Sequence, residues 1–61
     1  MNTEKMTGKT IVITGSGSGM GAAMAKEFAS REAKVALLDL NEEGLKKTAK
    51  AIEDNGGQCV Y

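Results

Sequence analysis

The apolar and polar positions change period several times along the chain, and those changes mark five elements. "KTIVIT", Lys9 to Thr14, is a short β-branched run between Gly8 and Gly15. It predicts a strand that is apolar on both faces and therefore buried on both. From Met20 the repeat lengthens to four. Met20, Met24 and Phe28, with Ala25 and Ala29 beside them, predict a helix from about Met20 to Arg31 with that stripe against the core. "KVALLDL", Lys34 to Leu40, returns to a strand, again apolar on both faces through Val35, Ala36, Leu37 and Leu38. Asn41 is a good N-cap, and Glu42 and Glu43 place negative charge in a first helical turn, where the helix dipole favours it. Leu45, Ala49 and Ile52 form the apolar stripe of this second helix, while Lys46, Lys47 and Lys50 read as an ordinary solvated face. "NGG", Asn55 to Gly57, supplies left-handed residues that stop it, and "QCVY", Gln58 to Tyr61, begins a third strand.

A β-α-β-α-β order with short connections predicts an α/β chain with a parallel sheet, right-handed crossovers and strand order 3-2-1. This is half of a doubly wound sheet. Two successive crossovers that run the same way put both helices on one face and leave Ile, Val and Leu side chains bare on the other. Burial of both faces then requires a cover, either the remainder of a longer parent chain or a second copy in a homo-oligomer, which would also protect the unpaired edge of the first strand.

Length and charge narrow the choice of partner. A chain of 61 residues sits at the lower edge of what folds alone, burying about 60% of its unfolded surface, so residues 1–61 read as one small domain. Eight basic and eight acidic residues leave no surplus of the kind that nucleic-acid or anionic-membrane binding uses. The opening "MNTEKMTGKT" is polar, and no run approaches the roughly 20 apolar residues of a membrane span, which predicts a cytoplasmic protein. Cys59 is the only cysteine and histidine is absent, so neither an internal disulfide nor a protein-only zinc site is expected. Cys59 reads as a small apolar residue in a strand.

The chemistry concentrates in "TGSGSGMG", Thr14 to Gly21. This loop joins a predicted strand to the first turn of a predicted helix, where unpaired N–H groups and the positive end of the dipole attract phosphate. A pyrophosphate reaches that backbone only if no Cβ intervenes. Glycine-rich turns also close ordinary strand–helix joints, so the next acid matters. Asp39 ends the second strand 18 residues after Gly21, near the roughly 20-residue spacing at which a carboxylate reaches the adenosine ribose of a dinucleotide. A carboxylate there accepts from the ribose 2′-hydroxyl and repels a 2′-phosphate. With no cation in the loop, and two glutamates soon after Asp39, the residues favour NAD over NADP. A triphosphate-binding P-loop does not fit, because Gly21 leads into Ala22 and Ala23 where lysine and serine or threonine are needed.

Two registers fit the glycines: Gly17 to Ala22 as G-x-G-x-x-G/A, and Thr14, Gly15, Gly19 and Gly21 as T-G-x-x-x-G-x-G. The second, with "GKTIVITGSGSGMGAAMAKEFA…AKVALLDLNEEGL" around it, closely resembles the short-chain dehydrogenase/reductase family from about Gly8 to Tyr61. The resemblance implies a Rossmann-type fold and NAD(P)-dependent hydride transfer between a carbonyl and an alcohol. It also implies that Gly15 makes the tight turn, that Ser18, Gly19 and Met20 lie along the pyrophosphate and ribose, and that Gly21 permits close helix packing. Asp39 would hold the adenosine ribose, with Leu40 beside the adenine. Met20 stands where the family usually has isoleucine. Glu32 stands where it commonly has glycine, at a left-handed position that costs a side chain on the order of 1 kcal/mol. The serine and Tyr-x-x-x-Lys pair of the family fall beyond the third strand, so no catalytic residue is assigned here: Tyr61 has no lysine after it, and Ser16, Ser18 and Ser30 have no adjacent base. Alternative readings are a stand-alone dinucleotide-binding module and a self-associating fragment without chemistry of its own.

Overall fold

Ile11, Val35 and Cys59 stand in register on one face of a three-stranded parallel sheet, and Val12, Ala36 and Val60 stand in register on the other. The computed structural model describes residues 5–61, so the first four residues of the polar opening stretch lie outside the described residues. The elements run β1 (Thr10–Thr14), α1 (Gly19–Ser30), β2 (Lys34–Leu38), α2 (Glu42–Asp54) and β3 (Gln58–Val60). The sheet order β1-β2-β3 is the expected 3-2-1 arrangement.

Both helices cover the first face. Ile13, Val35 and Leu37 from the strands meet Ala25 and Ala29 of α1 and Leu45, Ala49 and Ile52 of α2 in one buried cluster, with Ile11, Phe28 and Cys59 packed at its margin. The predicted stripe of α2 is therefore the buried one. The expectation that β1 and β2 are buried on both faces is corrected. Val12 is 61% exposed, Leu38 52% and Val60 51%, because the pleat sends alternate residues to opposite sides and only one side carries helices.

The predicted stripe of α1 is corrected in part: its Ala25 and Ala29 are buried as expected, but its methionines are not. Ala22, Ala25 and Ala29 are its buried residues, whereas Met20 is 80% exposed, Met24 is exposed and Phe28 is only half covered. The helix touches β1, β2 and α2 together. Three neighbours can approach that closely only across a line of methyl groups, so the longer methionine side chains rotate outward. Phe28 keeps its partial cover from Arg31, whose guanidinium lies 5.8 Å from the ring centroid.

Each helix ends in the same pair of reverse hydrogen bonds. Ala33 N donates to Phe28 O and Glu32 N to Ala29 O, just as Gly57 N donates to Ile52 O and Gly56 N to Glu53 O. The motif requires one left-handed residue. After α2 this is Gly56 alone, at φ +80°, while Asn55 sits at −97°, so the three-residue "NGG" assignment narrows to its middle member. After α1 it is Glu32, at φ +71°, the strained non-glycine residue the resemblance pointed to.

The second strand ends at Leu38, two residues before its predicted end. Thr14 is the last residue of β1 and pairs with Leu38; beyond it Gly15 turns away at φ +68°, and Asp39 has no strand to pair with. Tyr61 lies just past β3.

Candidate functional site

The loop between β1 and α1 folds back over the end of β2. Ser16 N donates to Leu38 O at 3.3 Å, and the fully buried Ser16 passes its own carbonyl to Thr48 of α2, whose Oγ1 donates at 2.9 Å. The loop is thus tied to both the neighbouring strand and the second helix. Its glycines serve two needs. Gly15 and Gly19 hold left-handed φ values of +68° and +59°, and apart from their neighbours along the chain no atom lies within 4 Å of where either Cβ would stand. Gly21 answers the other need, since a Cβ there would overlap the carbonyl oxygen of Gly15. This contact seats the first turn of α1 on the end of β1, the packing role expected of Gly21.

Helix α1 opens without compensation of its N-terminal charge. Its N-cap, Ser18, is extended and makes no side-chain hydrogen bond into the helix, and no acidic residue stands in the first turn. The early N–H groups of a helix have no partner within it. The start of α1 therefore keeps both donors and positive potential for an anion.

Asp39 stands beside this loop. Its Oδ2 accepts from Gly17 N at 2.8 Å and its Oδ1 from Asn41 N at 3.0 Å. These backbone donors, Asn41 first and then Gly17, hold the carboxyl below the ordinary aspartate value, so the group is an anion at neutral pH. Each carboxylate oxygen retains a second lone pair with which to accept from a ligand hydroxyl. Asn41 acts twice, since its side chain also caps α2 by accepting from Gly44 N at 3.1 Å.

Thr14, Gly15, Leu38, Asp39 and Leu40 line an open crevice of about 450 Å³ at the carboxyl ends of β1 and β2. Of the residues singled out in the sequence, Gly15, Asp39 and Leu40 come together here, and Leu40 is wholly exposed. Ser18 and Gly19 border a different hollow of about 590 Å³, which opens between α1 and α2 and does not reach Asp39. Met20 extends into solvent and lines neither. Sequence reasoning passed over Gly44 and Thr48, and it weighed Gly17 and Ser16 without finding the roles they hold here. Gly44 carried a usable signal, since glycine inside a helical pattern usually has a packing reason. Ser16 and Thr48 carried none, because a buried serine–threonine link across 32 residues leaves no local trace.

A glycine loop joining a parallel strand to a helix, with an acid just past the end of the next strand, is the arrangement of the nucleotide-binding class of parallel α/β proteins. The short chain dehydrogenase family matches residues 9–61, and the chain belongs to it. Among curated relatives, 2,5-dichloro-2,5-cyclohexadiene-1,4-diol dehydrogenase LinX of Sphingobium indicum is 46% identical over 57 residues, 93% of this chain and 23% of the relative. A 3-oxoacyl-[acyl-carrier protein] reductase from Brucella melitensis, solved with bound NAD, matches at TM-score 0.85 and 32% identity over 92% of this chain and 22% of its own. A Beutenbergia cavernae protein described as an NAD(P)-dependent gluconate 5-dehydrogenase, with NADP at low occupancy, matches at TM-score 0.85 and 38% identity, covering 92% of this chain and 22% of its own. The chain spans 22–23% of the length of the curated relatives it matches first. Among the described residues, no helix is long and apolar enough to cross a membrane.

Proposed function

We propose that residues 1–61 are the N-terminal, cofactor-binding portion of a single NAD(P)-binding domain, in an oxidoreductase that interconverts a carbonyl and an alcohol. The observation that carries this reading is the Asp39 carboxylate held 2.8 Å from an amide of the glycine loop, at the mouth of the crevice between β1 and β2. The open space beside the Cβ-free Gly15 and Gly19 fits a bulky group lying against bare backbone. In this proposal Gly15 turns the chain, and Ser18, Gly19 and Met20 present the opening of α1 to the pyrophosphate. Gly21 keeps α1 against β1, Asp39 accepts from the adenosine ribose, and Leu40 covers the adenine. The nicotinamide supplies or takes up the hydride when it is bound. Relatives have been solved with either cofactor. Preference for NAD rests on Asp39, whose negative charge meets the 2′-hydroxyl of NAD favourably and the 2′-phosphate of NADP unfavourably. The serine and Tyr-x-x-x-Lys pair implied by the family resemblance belong to the remainder of the parent chain.

Titration of the protein with NAD and with NADP, followed by NMR, tests the proposal. Shifts confined to Gly15–Gly21 and Asp39–Leu40 are expected with NAD, at an affinity well weaker than micromolar because this chain supplies only part of a site. Asp39→Arg should reverse the preference toward NADP. Equal binding of both cofactors, or shifts located elsewhere, would defeat it.

A further inference from the structure

Four residues close a ring behind the Asp39 carboxylate. Gly17 N donates to Asp39 Oδ2 at 2.8 Å, Asn41 N donates to Asp39 Oδ1 at 3.0 Å, and Gly44 N donates to Asn41 Oδ1 at 3.1 Å. The fourth link has no hydrogen bond. Gly44, in the first turn of α2, lies so close to the Gly17 peptide that a Cβ on it would overlap the Gly17 carbonyl oxygen, come within 2.8 Å of the carbonyl carbon and within 2.7 Å of Asn41 Nδ2. The two Gly17 atoms are backbone, so they cannot step aside as the Asn41 side-chain tip can.

Glycine is the poorest residue for a helix interior apart from proline, and it brings α2 no advantage of its own. Its presence at position 44 is explained by the loop it touches. We infer that Gly44 is a positioning residue for cofactor choice: its missing side chain lets α2 press on Gly17, which sets the amide that aims the Asp39 carboxylate. The inference rests on the reading that Asp39 receives the adenosine ribose. It adds a determinant from outside the glycine loop, on an element that contacts no cofactor in that reading.

Gly17 is the relay. A Cβ on Gly17 would stand 2.8 Å from Asp39 Oδ2 and 3.0 Å from Asp39 Cγ, so a side chain there displaces the carboxylate directly. A side chain on Gly44 does so indirectly, by pushing the Gly17 carbonyl and, through the shared Cα, turning the Gly17 N–H away. In either case the acid loses a fixed donor and swings free, which weakens its grip on a ribose hydroxyl and also removes it from the place where it repels a 2′-phosphate.

The test uses the 61-residue protein, with ¹³C NMR titration of the Asp39 carboxyl and parallel NAD and NADP titrations. In Gly44→Ala the Asp39 titration should move upward toward the ordinary aspartate range. NAD affinity should fall about tenfold, the scale of one hydrogen bond to a charged group, with NADP affected far less. Ile52→Val is the control, since it loosens the packing of α2 on the core near the far end of that helix without touching the ring; it should lower the melting temperature and leave the carboxyl titration and cofactor ratio unchanged. An unmoved Asp39 titration in folded Gly44→Ala overturns the inference, and so does an Ile52→Val variant that shifts Asp39 equally. Should Gly44→Ala fail to fold, Gly17→Ala breaks the same relay against a movable side-chain tip, and an unchanged titration and ratio there overturns it too. Absence of NAD binding by the wild type would sink the functional reading and with it the role in cofactor choice, while the carboxyl titration still decides whether Gly44 positions Asp39.

Discussion

Glu32 is the residue at which backbone and side chain pull in opposite directions. Its left-handed φ of +71° costs a residue with a Cβ what it would not cost glycine, yet its carboxylate ties the turn between α1 and β2 to the segment that precedes β1. Thr7 Oγ1 donates to Oε1 at 3.1 Å, and Lys5 Nζ lies 3.0 Å from Oε2. The bonds from Lys5 and Thr7 hold this carboxyl below its ordinary 4.5. A lowered folded value means that the contribution is present above the unfolded value and is lost as pH falls through the folded one. Salt weakens an exposed pair as well. Glu32→Gly is therefore expected to melt higher than the wild type at high salt or at a pH below the folded Glu32 value, by about 4–8 °C if the whole left-handed penalty is recovered. Near neutrality and at low salt the gap should narrow. Thermal melts over a grid of salt and pH check this, and a gap that ignores both variables would refute it.

At the scale of elements, the kind and order of all five were legible in the sequence, but the face of α1 was legible only through Ala25 and Ala29. Met20–Met24–Phe28 and Ala22–Ala25–Ala29 both repeat at helical spacing, and hydrophobicity ranks the first above the second. What decided between them was distance: α1 is squeezed among β1, β2 and α2, and only the alanine line fits. Close approach of three elements is a tertiary fact with no local signature. Asp39 shows the same division. Its distance along the chain from the glycines was readable, but its two backbone donors depend on where α2 begins. The helix assignment yields a direct comparison. Ala25→Leu should destabilise by about 1–3 kcal/mol through overpacking, while Met24→Gln should stay within about 0.5 kcal/mol of the wild type. Urea denaturation of the two variants decides it, and the reverse order would place the buried stripe on the methionines.

The molecule as a whole has one dressed face and one bare face. Val12 and Val60 flank the half-covered Ala36, and Leu38 lies one step along the same side, so apolar side chains meet water across the sheet. The bare face matches the half-sheet expected from the topology, and it belongs to a chain that spans 22–23% of its first relatives. By itself, this protein should associate with concentration and bind the dye ANS, and Val12→Thr with Leu38→Thr should reduce both. Sedimentation velocity across a hundredfold concentration range checks it; an ideal monomer throughout would show that the exposed valines and leucine do not attract one another.

The strand order carries one more consequence. Each strand pairs with the next one made: Thr10 with Lys34, then Lys34 with Gln58. Such nearby partners carry a small loop-closure cost and favour early assembly. On a ribosome the three strands can therefore zip together in the order in which they emerge, and the crevice beside Asp39 takes shape once the second strand and the start of α2 have left the exit tunnel.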